Sequence, residues 1–371
     1  MKIDGKHYNT IRVSEDGWSV EIIDQTKLPH RFEMARMTTV DDAAHAIKVM
    51  QVRGAPLIGV TAAYGVCLAL RQDASDESLT KAIDYLAKQR PTAVNLRWAL
   101  NDMHRTLRDI PPDGRVDAAY NRAKELWSLD IETNRQIGEQ GLRLIKQHAE
   151  RKTDGPVNVL THCNAGWLAC VDWGTATSPV YQAHDSGIDV HVWVDETRPR
   201  NQGAALTAYE LGAHGVPHTI IADNTGGHLM QHGMVDLCFV GTDRTAANGD
   251  VANKIGTYLK ALAAKDNGVP FYVTLPYSTI DWSLDNGFDI PIEERGQDEL
   301  LKIDGRLENG SVVTVDIAAP GSPAANYAFD VTPARLVTGL VTERGICEAS
   351  SGGLRTLYPA GEETSADHQD K

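Results

Sequence analysis

The chain has 371 residues, 42% of them apolar and 23% charged, an ordinary globular composition with room for roughly two domains. With 36 Lys+Arg against 50 Asp+Glu the formal net charge is −14. Nucleic-acid backbones and anionic membranes are repelled at long range by such a chain, so an anionic ligand needs a local cationic pocket.

The opening Met1-Lys2-Ile3-Asp4-Gly5-Lys6 has no apolar run behind its charge and does not read as a secretory signal. Val13–Asp24 has room for one or two short strands. Helical periodicity follows in Asp41–Val52, Pro56–Leu70, Glu77–Lys88, Asn95–Arg108 and a long stretch around Asp117–Glu150. The apolar run Ala55–Leu70 falls short of the ~20 residues of a membrane span and reads as a buried helix. These elements predict a mainly helical domain over residues 1–150, closed by the polar linker Arg151-Lys152-Thr153-Asp154-Gly155-Pro156.

From Val157 the pattern changes. Short β-rich runs at Val157–Thr161, Val190–Val194, His218–Ala222, Leu237–Gly241, Pro270–Leu275 and Ser311–Val315 alternate with helical stretches, which predicts a Rossmann-like, doubly wound parallel sheet over residues 151–359. Residues 360–371 are nearly devoid of apolar side chains and are expected to be disordered. Five cysteines, an odd number with no C-x-x-C pair, imply neither a disulfide framework nor a zinc ribbon, and a reducing cytoplasm fits best.

Cofactor signatures are missing. No G-x-G-x-x-G follows the first strand of the sheet, Gly249–Lys254 lacks the ending of a phosphate loop, and neither G-x-S-x-G nor H-E-x-x-H occurs. His228 and His232 have metal-ligand spacing without a third ligand nearby, so a solvated or hydrogen-bonded pair is the simpler account.

The strand ends carry the chemistry. Ligands of open α/β sheets bind at the carboxyl ends of the strands. Cys163 lies just past one such end, in Leu160-Thr161-His162-Cys163-Asn164-Ala165-Gly166, although a lone cysteine is most often a small buried hydrophobe. Asp243 lies past another, in Val240-Gly241-Thr242-Asp243-Arg244; it could instead cap a following helix, or be held ionised by Arg244. Asp195 and Asp223 occupy two further ends. Asn253 and Lys254, in Asn248–Thr257, are read as a loop entering a helix, able to receive an anion, against the alternative of a solvated lysine. Arg53-Gly54-Ala55-Pro56 sets an arginine before a proline-opened helix, and Arg90-Pro91 repeats the idea. Arg53 and Arg90 together with Lys254 form a plausible anion clamp in an acidic protein.

These same segments, with Asp195-Glu196-Thr197-Arg198-Pro199, Gln202-Gly203 and Phe329–Ala334, closely resemble the methylthioribose-1-phosphate isomerase family, and the resemblance runs from about Ile22 to Gly345. That family is grouped with ribose-1,5-bisphosphate isomerases and with regulatory subunits of a translation initiation factor's exchange complex. The resemblance implies that Cys163 and Asp243 are catalytic, that Arg53, Gly54, Ala55, Arg90, Gln202, Asn253 and Lys254 bind substrate, and that neither metal nor organic cofactor takes part. It further implies a cytoplasmic homodimer acting on a small-molecule sugar phosphate. The sequence departs from the family pattern at Asn201, Ala205, Tyr209, Thr242 and Thr245, which opens the choice between 5-methylthioribose 1-phosphate and 5-deoxyribose 1-phosphate, in methionine or 5-deoxyribose salvage.

A phosphate on the anomeric oxygen prevents spontaneous ring opening, so Asp243 is expected to protonate the ring oxygen. Hydrogen then moves from C2 to C1, either as a proton taken by a Cys163 thiolate or as a hydride beside a neutral thiol. Two other readings stand beside this one: a noncatalytic sugar-phosphate or nucleotide-sensing subunit, and a cysteine hydrolase with Cys163 as nucleophile.

Overall fold

The computed structural model describes residues 1–3, 5–90 and 93–360. The expected disordered tail therefore lies, apart from Ala360, outside the described residues, as do Pro91 and Thr92 of the second arginine motif.

The chain opens with the hairpin β1 (Lys2–Ile3) and β2 (Lys6–His7), then an antiparallel meander of β3 (Ile11–Val13), β4 (Val20–Ile23) and β5 (Met34–Met37). Val13–Asp24, with room for one or two short strands, holds β4 and the end of β3. Helices α1 (Val40–Lys48), α2 (Ala55–Gln72), α3 (Asp76–Ala87), α4 (Val94–Leu107) and α5 (Pro112–Arg151) follow close to their predicted limits. Their ends have local causes. Thr39 and Asp42 form a reciprocal capping box at α1, and Pro56 opens α2 behind Gly54, whose φ of 92° suits glycine. A Cβ on Gly54 would meet Ala169 at 2.5 Å, so this turn lies directly against the loop after the first sheet strand.

Among the described residues α2 alone is long and apolar enough to cross a membrane, yet 83% of it is buried inside the protein. It is the axis of a core in which Leu57, Val60, Val66 and Leu70 pack against Ile47, Leu86, Leu100 and Leu126. The 40-residue helix α5 serves two cores: Ala119, Ala123 and Leu126 face α2, while Ile137, Leu144 and Ile145 face the large sheet.

That sheet runs β6 (Val157–Thr161), β7 (Val190–Asp195), β8 (His218–Ile221), β9 (Leu237–Val240), β12 (Phe271–Thr274), β17 (Gly339–Thr342) and β18 (Gly345–Cys347) in the order β18-β17-β12-β9-β6-β7-β8. Six strands are parallel and the edge strand β18 is antiparallel. Helices α5, α6 (Ser178–Asp185) and α7 (Ala208–His214) bring apolar groups to one face; α8 (Thr225–Gln231), α9 (Thr257–Asp266) and α11 (Ser351–Leu357) do so on the other. The chain leaves β6 toward β7 and β8, then returns to β6's other side at β9, so the reversal of strand order falls between β6 and β9.

Two expectations need correction. Ser311–Val315 does not join the sheet; β15 (Val312–Asp316) pairs locally with β14 (Lys302–Arg306), the strand that follows the short helix α10 (Asp298–Leu301). Residues 248–257 are not a loop running into a helix. They contain the turn and second strand of a hairpin, β10 (Arg244–Ala246) with β11 (Val251–Lys254), inside a four-stranded sheet completed by β13 (Ile280–Asp281) and β16 (Phe329–Thr332). The Asn248-Gly249 pair, with Gly249 at φ 88°, is a strong hairpin-turn signal that explains the difference.

Candidate active site

Cys163 and Asp243 stand past the carboxyl ends of β6 and β9, the strands that flank the reversal. Cys163 holds φ at 68°, an uncommon angle for a residue with a Cβ, and its backbone is tied on both sides. Its N–H donates to Thr197 Oγ1 at 2.8 Å, and its carbonyl accepts from Thr207 Oγ1 at 2.7 Å. The thiol faces Gln202 Oε1 at 3.7 Å, from the residue that leads into a π-helical turn over Gly203–Thr207. Such turns collect at functional sites because they re-aim side chains.

Asn164, next in sequence, is gripped by Arg53, which donates from one guanidinium nitrogen to its side-chain oxygen and from the other to its carbonyl at 2.8 Å. Glu210 buttresses the same loop, accepting from the N–H groups of Trp167 (3.1 Å) and Leu168 (3.0 Å), from Asn164 Nδ2 (3.2 Å) and from the Tyr181 hydroxyl (3.0 Å). Burial pushes the Glu210 carboxyl above its ordinary range, and those donors oppose the shift.

Asp243 does not cap a helix. Its N–H donates to Ala252 O at 2.9 Å, at the start of the hairpin. Arg244 turns away and pairs with Asp281 at 3.3 Å, because successive strand residues face opposite sides. Asp243 thus escapes the close ion pair that would hold it ionised. Burial raises its pKa, while Lys254, Arg90 and Arg53 pull against the rise. Burial likewise raises the Cys163 thiol, opposed by Arg53 and Lys254. Lys254 is only 7% exposed; burial lowers its pKa, opposed by Cys163 and Asp243, and its ammonium lies 4.8 Å above the Phe329 ring. Its neighbour Asn253 donates to Thr257 Oγ1 at 3.1 Å.

Ala55, Arg90, Asp243, Ile290 and Phe329 line one pocket, with the N-terminus of α2 in its wall. Arg53, Gln202, Met50, Ala205 and Leu206 line a second, wider cleft beside the β14–β15 hairpin. Cys163, Asn253 and Lys254 line neither opening, although the charges of Arg53 and Lys254 act on both Cys163 and Asp243. Gly54 lines neither opening; it shapes the turn that carries Arg53 and Ala55. Two groups escaped sequence reading: Glu293, 3.8 Å from Arg90, and the Glu210 buttress, both too distant in sequence to be associated by spacing.

The structure also bears on metals. His162, Asp195 and Asp223 cluster closely enough to hold an ion. However, Lys260 already supplies the cation, 3.2 Å from Asp195 and hydrogen-bonded to the Asp223 carbonyl, and both nitrogens of His162 are engaged by protein acceptors. The His228 and His232 rings lie 4.3 Å apart, tilted at 47°, with His232 Nδ1 on the His228 carbonyl, a hydrogen-bonded pair. His162 is equally unable to serve Cys163 as a base, which removes the Cys–His arrangement that a cysteine hydrolase requires. All five cysteines are free.

Fold and site together define a doubly wound α/β protein that gathers Cys163, Asp243 and the cations Arg53, Arg90 and Lys254 near its strand reversal. Residues 51–349 match the initiation factor 2 subunit family. The chain is 62% identical over 360 residues to a methylthioribose-1-phosphate isomerase of Methylorubrum extorquens, covering 97% of this chain and 98% of that one. Among solved structures it resembles 5-methylthioribose 1-phosphate isomerase from Pyrococcus horikoshii (TM-score 0.82, 39% identity, 95% of this chain and 96% of that one). It also resembles translation initiation factor eIF-2B, subunit delta, from A. fulgidus (TM-score 0.78, 37% identity, 95% and 99%). The chain belongs to the initiation factor 2 subunit family and, within it, to the methylthioribose-1-phosphate isomerases.

Proposed function

We propose that the protein is an aldose–ketose isomerase that converts 5-methylthioribose 1-phosphate to the corresponding ribulose 1-phosphate, a step of methionine salvage. One observation carries the reading: a buried thiol and a half-buried carboxyl, free of any close ion pair with its neighbour Arg244, stand at adjacent strand ends inside a cluster of Arg53, Arg90 and Lys254. The near-full-length likeness to relatives of that name supports the substrate class.

The three cations hold the phosphate, assisted by the α2 N-terminus at Ala55, and so fix C1 and C2 between Cys163 and Asp243. Asp243, whose carboxyl is pushed above its ordinary range by burial, donates in its protonated form to the ring oxygen as the C1–O4 bond breaks. Hydrogen passes from C2 to C1, and the C2 hydroxyl returns its proton to Asp243, so the carboxyl ends the cycle as it began. A dry site that favours the thiol over the thiolate supports transfer as hydride, with Cys163 bounding the path as a neutral, polarisable wall. Gln202 and Asn253 bind sugar hydroxyls. The cytoplasmic homodimer belongs to the same proposal.

The residues that depart from the family pattern surround this machinery. Thr245 donates to Thr242 Oγ1 at 3.2 Å and Thr242 donates to the Ala252 carbonyl at 3.0 Å, bracing the hairpin behind Asp243. Asn201 and Ala205 line the wider cleft with Met50 and Leu206, where the 5-substituent is chosen. 5-Deoxyribose 1-phosphate is the second substrate to test there. Turnover of the purified protein on both sugars, following ketose 1-phosphate, decides the matter: product from either establishes the isomerase and the kcat/KM ratio names the substituent. Saturable binding without product from either would refute the reading in favour of a sensing subunit.

A further inference from the structure

His162 has no part in the chemistry above, yet it is wholly buried between the two halves of the site. Its Nδ1 lies 2.8 Å from Asp195 Oδ2 on β7, and its Nε2 lies 2.8 Å from the Ile255 carbonyl. The Ile255 carbonyl can only accept, so Nε2–H donates to it, and the ring bridges Asp195 and Ile255. What it bridges is informative: His162 immediately precedes Cys163, and Ile255 immediately follows Lys254.

The two ends of this strut differ in firmness. Lys254 belongs to β11, which pairs with β10 on one side and β16 on the other, and the turn after it is pinned by Ile255 N–H to Ala328 O (3.0 Å) and by Gly256 N–H to Asp330 Oδ2 (2.7 Å). Cys163 lies outside any strand, at a positive φ, held by two threonine hydroxyls. The ring also dictates Gly256: φ there is 102°, and a Cβ would press on His162 Cε1 and Nε2 at 3.1 Å. On its other side Asp195 is fixed by Lys260 at 3.2 Å, so the carboxylate that orients the ring is itself anchored.

We infer that His162 is a positioning residue, a strut whose Nε2–H···O=C bond to Ile255 sets the Cys163 thiol against Lys254 and the bound sugar. The catalytic consequence rests on the isomerase reading; the strut itself does not. Loss of the strut moves the Cys163 side and leaves the strand-held Lys254 and Arg90, beside Glu293, in place, so turnover falls while phosphate binding persists.

The two amide replacements separate the bonds. His162→Gln sets its amide nitrogen where Nε2 was and keeps the bond to Ile255; His162→Asn sets its nitrogen where Nδ1 was and loses that bond. Misplacement within an active site by about 1 Å costs about 100-fold even when the changed residue stands away from the chemistry, so His162→Asn is expected to lose about 100-fold in kcat with KM changed less than about threefold, and His162→Gln to stay within about tenfold of wild type. A general loss of structure would raise KM and lower the melting temperature in both alike. Iodoacetamide labelling of the Cys163 peptide, followed by mass spectrometry, should be slow in wild type and His162→Gln and at least about tenfold faster in His162→Asn, because a displaced thiol loses its cover. In wild-type protein labelled with 15N-histidine, His162 Nε2 should carry a slowly exchanging, hydrogen-bonded proton; this measurement needs no variant to fold. Equal kinetics in the two variants, or an unprotonated Nε2 in wild type, would overturn the strut. Absence of isomerase turnover in wild type would instead sink the activity, with labelling and resonance still testing the strut.

Discussion

Replacing Asp243 by Asn tests the site's electrostatics and its chemistry at once. Asn has the shape of the carboxyl but cannot cycle a proton. General acid–base catalysis contributes about 10²–10⁴ in rate, or about 3–5 kcal/mol of barrier, so kcat should fall by that factor. KM should not rise, because the substitution deletes a potential negative charge from among Lys254, Arg90 and Arg53 and leaves the phosphate a more positive site. Stability has a definite sign as well. The folded pKa of Asp243 is raised, so its contribution is fully present below the unfolded carboxylate value and is lost as pH rises through the folded value. Asn escapes that loss, and the variant's melting temperature relative to wild type should climb as pH is taken from the acid range upward. Steady-state kinetics on 5-methylthioribose 1-phosphate with thermal melts across pH measure all three quantities. A kcat within about threefold of wild type, or a KM raised about tenfold at unchanged kcat, would remove Asp243 from the proton-transfer role.

Isomerisation in deuterium oxide should give a ketose without solvent deuterium at C1, since burial pushes the Cys163 thiol up and disfavours the thiolate; extensive incorporation would establish a proton route instead. Alkylation of Cys163 should remain slow until pH passes well beyond the ordinary thiol value of about 8.5 and should be blocked by substrate. Arg90→Met should raise KM for the sugar phosphate at least about tenfold, the worth of one charge-assisted hydrogen bond, with little change in melting temperature. Glu210→Ala strips the acceptor from four buried donors and should cost about 3–5 kcal/mol in denaturant unfolding, whereas Glu210→Gln should cost less. Prolonged chelation should leave turnover unchanged, because Lys260 rather than a metal neutralises the Asp195 cluster.

Much of this molecule was legible before any coordinates. Helices α1 to α5 and strands β6, β7, β8, β9 and β12 are local events, set by apolar periodicity, caps such as Thr39–Asp42 and the length of each run, so sequence reading finds them within a few residues. The strand-end rule also directs attention to Cys163 and Asp243, since the carboxyl ends of parallel strands converge whatever the loops do. Strand partners are another matter. Ser311–Val315 is as β-rich as any sheet strand, but the local reach of the Leu307–Gly310 turn gives it to β14, and nothing in its own composition says so. The Asn248-Gly249 pair is a local signal for the hairpin that carries Lys254, whereas a loop opening a helix to receive an anion has no such turn.

Residue chemistry by itself determined that an acidic chain carries isolated cations at helix openings and polar groups at strand ends, because those preferences follow from charge and backbone geometry near each residue. The directions in which the Cys163 and Asp243 pKa values shift, the pairing of Arg244 with Asp281 in place of Asp243, the Glu210 buttress and the His162 strut were decided only by tertiary structure. Their partners lie tens to more than a hundred residues apart, and pKa depends on burial and on charges brought near by folding, neither of which has a signature along the chain.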